Sequence, residues 1–117
     1  MIALASNTRI FLAKGPTDMR KGFAGLYAIV ENSLKLDPLS GNLFLFVNRR
    51  RDKLKVLYWD RDGLAIWYRR LEQGTFQLPV FDLDSGCFEM KADELTMLIR
   101  GVDYTNAKRR KRFSLTA

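Results

Sequence analysis

Between Leu43 and Leu71 lie three runs of apolar and alternating residues: Leu43 to Asn48, Lys53 to Asp60, and Leu64 to Leu71. Their links are Asn48-Arg49-Arg50-Arg51-Asp52 and Asp60-Arg61-Asp62-Gly63. Links this short join antiparallel neighbours, because a parallel return needs a crossover of a dozen residues or more. An antiparallel meander is therefore the expectation. Its third strand runs back from the Gly63 turn, so Arg69 and Arg70 return beside the Arg49 to Arg51 loop and five arginines gather at one end of the sheet. With Gly63 in the left-handed position of a three-residue turn, Tyr58 pairs with Ile66 and Val56 with Tyr68. That register puts Lys53, Lys55, Trp59, Trp67 and Arg69 together on the opposite face, and a one-residue shift pairs them differently. The tryptophans are then either stacking platforms beside the cations or core residues under a helix.

Upstream, Ile10-Phe11-Leu12-Ala13 reads as a short strand closed by Gly15-Pro16, after which Thr17 or Asp18 caps a helix from about Arg20 to Leu36. Phe23, Leu26, Tyr27, Val30 and Leu34 recur at spacings of three and four and turn one apolar stripe to the core. Asp37-Pro38-Leu39-Ser40-Gly41-Asn42 has the turn chemistry to stop that helix. Downstream, Phe76 to Phe81 is extended around Pro79, and Phe88-Glu89-Met90 is an edge strand. A last helix has Asp93 and Glu94 at its positive end, Leu95, Leu98, Ile99 and Val102 as its stripe, and Gly101 at its exit. At 117 residues and 47% hydrophobic, the chain can bury a core without disulfides. The fold class is α+β: a small single domain over residues 1–105, its antiparallel meander packed against one long helix, with a short C-terminal helix. Residues 106–117 form a basic tail without apolar pattern, which reads as disordered.

Charge is unevenly spread. Residues 1–70 hold thirteen basic and six acidic side chains, residues 71–103 two and seven, and residues 104–117 five and none, giving +7, −5 and +5. A polyanion is attracted to the first and last segments and repelled by the middle one, which favours an oriented contact. Arg49, Arg50, Arg51, Lys53, Lys55, Arg69 and Arg70 interleave with Tyr58, Trp59, Trp67 and Tyr68, and the tail adds Lys108, Arg109, Arg110, Lys111 and Arg112. Cations that meet phosphate beside rings that stack on bases point to nucleic acid. The bland reading is a solvated cationic surface.

The single Cys87 cannot form an internal disulfide, and without histidine there is no Cys/His metal set or Cys-His nucleophile pair. Phosphate-binding glycine loops and nucleophile elbows are missing too. No catalytic residue, metal ligand or cofactor is assigned. The nearest catalytic pattern is Glu89-Met90-Lys91 with Asp62 or Asp82, an arrangement used by metal-dependent nucleases, but Glu89 and Lys91 more simply form the polar face of an edge strand. Asp18 before Arg20 and Lys21 is first of all a cap. The N-terminal residues carry no basic leader and no apolar stretch long enough for a bilayer, so the expectation is a soluble cytoplasmic protein without membrane contact.

Thr17-Asp18-Met19-Arg20-Lys21-Gly22-Phe23, Asn48-Arg49-Arg50, Leu57-Tyr58-Trp59-Asp60, Gly63-Leu64 and Tyr68-Arg69-Arg70-Leu71-Glu72-Gln73-Gly74 occur in that order. Leu95-x-x-Leu98-Ile99-x-Gly101-Val102-Asp103 closes the series. Over about Leu4 to Asp103 the chain resembles the TnpB-type accessory protein of insertion sequence 66 elements, a group unrelated to the RNA-guided nuclease of the same name. The resemblance implies a bacterial mobile-element protein encoded with a separate transposase, which carries the acidic catalytic residues, and with another small accessory protein. Where members of the group commonly have Trp-Pro, this chain has Leu78-Pro79, so a stacking role for that tryptophan is absent. The expected function is a non-enzymatic accessory factor in transposition that holds DNA backbone through the basic sheet end and tail. The alternative is an adaptor that docks its basic end on an acidic surface of the transposase without touching DNA.

Overall fold

The computed structural model describes residues 4–78 and 86–100. Five strands, β1 (Ile10–Ala13), β2 (Leu43–Val47), β3 (Lys53–Asp60), β4 (Gly63–Arg70) and β5 (Cys87–Met90), form one sheet in the order β4-β3-β2-β1-β5. The helices are α1 (Phe23–Ala28) and α2 (Ala92–Arg100). β2, β3 and β4 make the meander that the short links require. The sheet is nevertheless mixed, because β1 and β2 pair in parallel, Ile10 with Leu43 and Leu12 with Leu45. Residues 14–42 carry α1 and supply the crossover that parallel neighbours need. β5 lies antiparallel to β1, Ile10 opposite Met90 and Ala13 opposite Cys87.

Both faces of the sheet are covered. That is why β1 and β2 are apolar at successive positions and buried at every one, instead of alternating. One face sets Phe11, Phe44, Phe46 and Leu57 against Leu26 and Val30, with the Phe11 and Phe44 rings stacked at 5.8 Å. The other sets Ile10, Leu12, Leu45 and Val56 against Phe76, Leu95 and Leu98.

The helix expected from Arg20 to Leu36 is shorter at both ends. It starts at Phe23, with Gly22 rather than Thr17 or Asp18 at the capping position, and after Ala28 it widens into a π-helical turn over Ile29–Ser33. The Leu34 N–H donates to the Ile29 carbonyl at 3.0 Å, and Lys35 at φ +58 ends the run. The wider turn sets Leu34 and Leu36 against the sheet. Phe23, expected in the apolar stripe, is 51% exposed.

The register of the β3–β4 hairpin also differs by one residue from the three-residue turn expected. Asp60 pairs with Gly63, so the link is two residues long, and the positive φ belongs to Arg61 at +59 rather than to Gly63. Tyr58 therefore faces Ala65, Val56 faces Trp67, and Lys55 faces Tyr68. Alternation puts Lys53, Lys55, Trp59, Tyr68 and Arg70 on the α1 side, and Trp67 and Arg69 on the α2 side. The grouping of Trp67 and Arg69 with Lys53 and Lys55 does not occur.

Two polar devices hold the end of the sheet where β3 begins. The side chain of Lys55 is buried, and its Nζ donates to the carbonyls of Met19 and Lys21 at 2.8 Å each while standing 4.9 Å from the centre of the Tyr68 ring. Both carbonyls lie just ahead of α1, so the two bonds fasten the turn that precedes the helix to β3. In the β2–β3 loop the Asn48 amide oxygen accepts the N–H groups of Asp52 and Lys53 at 3.0 Å each, and its Nδ2 donates to Asp52 at 2.6 Å. That donation holds the Asp52 carboxyl below the usual carboxylate range. The loop's carbonyls serve the returning chain: Leu71 N–H donates to Asp52 at 2.7 Å and Phe76 N–H to Arg51 at 2.6 Å.

Replacing Lys55 by Met keeps the length of the stem but deletes both charge-assisted bonds, so urea unfolding should show a stability loss of about 2 kcal/mol. Amide exchange should also rise over residues 18–22; an unchanged midpoint and exchange pattern would mean the bonds contribute nothing. Asn48→Ala should cost about 1 kcal/mol, and Asn48→Asp should cost more at neutral pH, because a second carboxylate then faces Asp52 where the Nδ2 donor stood.

Candidate nucleic-acid interface

The β2–β3 loop is hydrogen-bonded through its backbone and exposed in its side chains. Arg51 takes the left-handed conformation at φ +61, its N–H donates to Asn48 at 3.0 Å, and Arg49, Arg50 and Arg51 are all exposed. Among the described residues the ion pairs join Arg9 to Glu89, Arg20 to Asp18 and Arg70 to Glu72, and the three loop arginines take no part in them. The loop is thus tethered through its backbone while its three guanidinium groups have no carboxylate partner among the described residues.

β4 does return Arg69 and Arg70 beside this loop, Arg70 opposite Lys53 and Arg69 opposite Leu54. The two are employed differently. Arg70 holds Glu72, its Nη2 2.9 Å from Oε1, in an exposed pair that is worth little and readily exchanged. Arg69 lies 5.1 Å from the centre of the Trp67 ring and donates Nη1 to the Ile99 carbonyl at 3.0 Å, tying the sheet to α2. Lys55 is committed to Met19 and Lys21, whereas Lys53 is half-buried at the groove described next.

On the α1 side a groove of about 670 Å³ separates two walls. One wall is the turn Thr17–Arg20; the other is Asn48, Arg49, Arg50 and Lys53, with Tyr68 also lining it. Thr17 is buried and its N–H donates to the Val47 carbonyl at 2.8 Å. Asp18 caps its own turn instead of a helix: its Oδ1 accepts the Arg20 N–H at 2.9 Å, and its carboxylate takes the Arg20 guanidinium at 2.7 Å. The hydrogen bonds from Arg20 hold the Asp18 carboxyl down at about 2. Arg51 instead lines a smaller depression of about 220 Å³ with Gly15, Pro16 and Leu78.

Neither tryptophan lies at the groove. Trp59 is half-buried opposite Leu64 near the β3–β4 turn, roughly 20 Å along the strand from Lys53 at the ordinary rise per residue. Trp67 is half-buried and packs on the α2-side core. The exposed ring near the cations is Tyr68, at 50%. Its place follows from the two-residue link Arg61-Asp62, which the glycine at position 63 does not announce. Arg20 and Asn48 are the other groove residues not singled out as cation and loop template from sequence. Lys108 to Arg112 of the expected basic tail lie outside the described residues, as does Asp82.

The nuclease pattern does not assemble with Asp62, the one of its two candidate aspartates among the described residues. Glu89 is bonded to Arg9 at 2.7 and 3.0 Å, which lowers its carboxyl pKa, and it sits on β5. Asp62 follows β3, three strand spacings away, roughly 14 Å. Cys87 is half-buried, and burial pushes its thiol up, away from reactivity. Among the described residues no helix is long and apolar enough to cross a membrane.

Comparison with known proteins agrees with the motifs. The family model described as "IS66 Orf2 like protein" matches residues 8–109. The uncharacterized protein y4jC of Sinorhizobium fredii is 36% identical over 110 residues, covering 94% of this chain and 92% of the relative. The uncharacterized protein y4hO of the same organism is 38% identical over 104 residues, covering 89% of each. No solved structure matches. The chain therefore belongs to the IS66 Orf2-like family, a membership that implies an accessory role in transposition.

Proposed function

We propose that this protein serves transposition without catalysing it, by gripping the sugar-phosphate backbone of DNA at the end of the sheet where β3 begins. The observation that carries the reading is the loop Arg49–Arg51, held by Asn48 and by Leu71 and Phe76, whose three guanidinium groups lack carboxylate partners among the described residues. Three like charges on one short loop repel each other, and phosphates relieve that repulsion. Lys53 extends the track, and Arg70 joins it by exchanging Glu72 for phosphate. Lys108, Arg109, Arg110, Lys111 and Arg112 add a sequence-independent electrostatic arm. Lys55 supports the surface from behind, its ammonium committed to Met19 and Lys21, and Arg69 ties the sheet to α2 through one N–H to Ile99 while staying exposed.

In this reading the protein works in the cytoplasm, with the transposase and the other accessory protein of the element as its protein partners. Backbone contacts position a protein on DNA without reading sequence. The acidic 71–103 segment repels DNA and so orients the contact.

Anisotropy titrations of labelled element-end DNA across salt test the grip. Neutralising about five phosphates gives a slope of log affinity on log salt near −4.5, and changing Arg49, Arg50 and Arg51 to alanine should flatten it by about 2.7. Binding weakened more than tenfold in the variant, with unfolding unchanged, is the expected result. No binding by the unaltered protein at low salt would sink the DNA reading and make the transposase itself the next ligand.

A further inference from the structure

We infer that the groove between the Thr17–Arg20 turn and the Asn48–Lys53 loop holds an unpaired nucleotide of single-stranded DNA, its base stacked on Tyr68 and its phosphates on Arg49, Arg50 and Lys53. The inference rests on the DNA-binding reading above and narrows it from duplex backbone to an unstacked base at one site.

The groove's size is that of a small-ligand site, about 670 Å³. Its charge is strongly positive: Arg20, Arg49, Arg50 and Lys53 line it against one carboxylate, Asp18, which Arg20 already neutralises. A phosphate arriving there meets the cations of the Asn48–Lys53 wall, while the Arg20 charge on the facing wall is balanced by Asp18. Tyr68 adds what a backbone-only surface does not need. Its ring is held by the Lys55 ammonium at 4.9 Å, and half of the residue remains exposed beside the cations. A ring fixed from one side offers its remaining surface to a base, and stacking is indifferent to which base it is. Bases in a duplex already stack on their neighbours, so an intact double helix cannot use Tyr68, while a melted end or a flipped base can.

Both walls are preset. Lys55 holds the Thr17–Arg20 side through Met19 and Lys21, and Asn48 holds the opposite loop through Asp52 and Lys53. The backbone of both walls is therefore set before the strand arrives, and the ordering left for binding is that of the arginine and lysine side chains.

The test uses the full chain with a fluorescent twelve-residue oligothymidine, its duplex with oligoadenine, and an oligouridine of the same length, at one salt concentration. Tyr68→Ala should weaken the single strand roughly 5- to 100-fold and change duplex binding less than twofold, while Tyr68→Phe stays near the parent protein. As Tyr68 also covers Lys55, a second measurement leaves the sequence unaltered: ultraviolet crosslinking to an oligothymidine carrying 5-iododeoxyuridine should map to Tyr68 by mass spectrometry. Equal losses for single strand and duplex in Tyr68→Ala, or crosslinks lying wholly elsewhere, would overturn the nucleotide site and leave the backbone grip standing. Failure of the unaltered protein to bind either DNA form removes both. Tighter binding of oligouridine reassigns the site to RNA, and displacement of bound oligothymidine by poly-glutamate but not by mononucleotide makes it an acidic-peptide site; each of these overturns the proposal.

Discussion

An ammonium group carried into a protein interior must find partners there or stay neutral, and Lys55 finds them in one place. It stands in the sheet between Phe46 and Tyr68, and both of its hydrogen bonds go to carbonyls of the same short turn, at Met19 and Lys21. Much follows from that pairing. The turn ahead of α1 is fastened to the sheet, Tyr68 gains a cation behind its ring, and the Thr17–Arg20 wall is set at a fixed separation from Arg49 and Arg50. A lysine that reads as one more surface cation in the sequence is thus what positions the surface.

The legible parts of the fold were those decided by chain length. Links of two to five residues permit only antiparallel return, so β2, β3 and β4 could be read with their directions, and Arg69 and Arg70 could be placed near the Arg49–Arg51 loop. The parallel pairing of β1 with β2 was not legible, because the long segment between them fits either direction. The hairpin register failed for a local reason: glycine attracts the left-handed position in any sequence argument, yet Arg61 adopts it here. One residue of slip exchanges the faces, which is why Tyr68 and not Arg69 stands opposite Lys55. The helix start was not legible either, and nothing near Arg20 announces a turn fastened to a lysine on β3.

The candidate site shows the same division. Composition identifies the cationic loop, but it counts charges and not commitments. Arg9 is bound to Glu89, Arg20 to Asp18, Arg70 to Glu72, and Arg69 to a helix carbonyl, while Arg49, Arg50 and Arg51 have no such carboxylate among the described residues. An exposed pair such as Arg70 with Glu72 can open to meet phosphate at little cost, whereas Lys55 would forfeit two hydrogen bonds and abandon the turn it supports. Cations of equal formal charge therefore differ in their availability, and the difference depends on what they touch.

The mixed sheet explains why two segments far apart in sequence, Thr17–Gly22 and Asn48–Arg50, meet at all. Parallel strands end on the same side, so the loop leaving β1 and the loop leaving β2 must emerge together, and the Thr17 N–H donating to Val47 at 2.8 Å records that proximity. Had β1 run antiparallel to β2, the Thr17 turn would lie at the opposite end of the sheet from Arg49. β3 starts and β4 finishes at this same end, which adds Lys53, Tyr68 and Arg70. Crevices outside the carboxyl ends of parallel strands are recurrent binding places for this reason: one edge gathers several loops while the sheet behind them stays rigid. Here a single parallel pair is enough to bring a buried lysine's turn, a basic loop and an exposed ring around one groove.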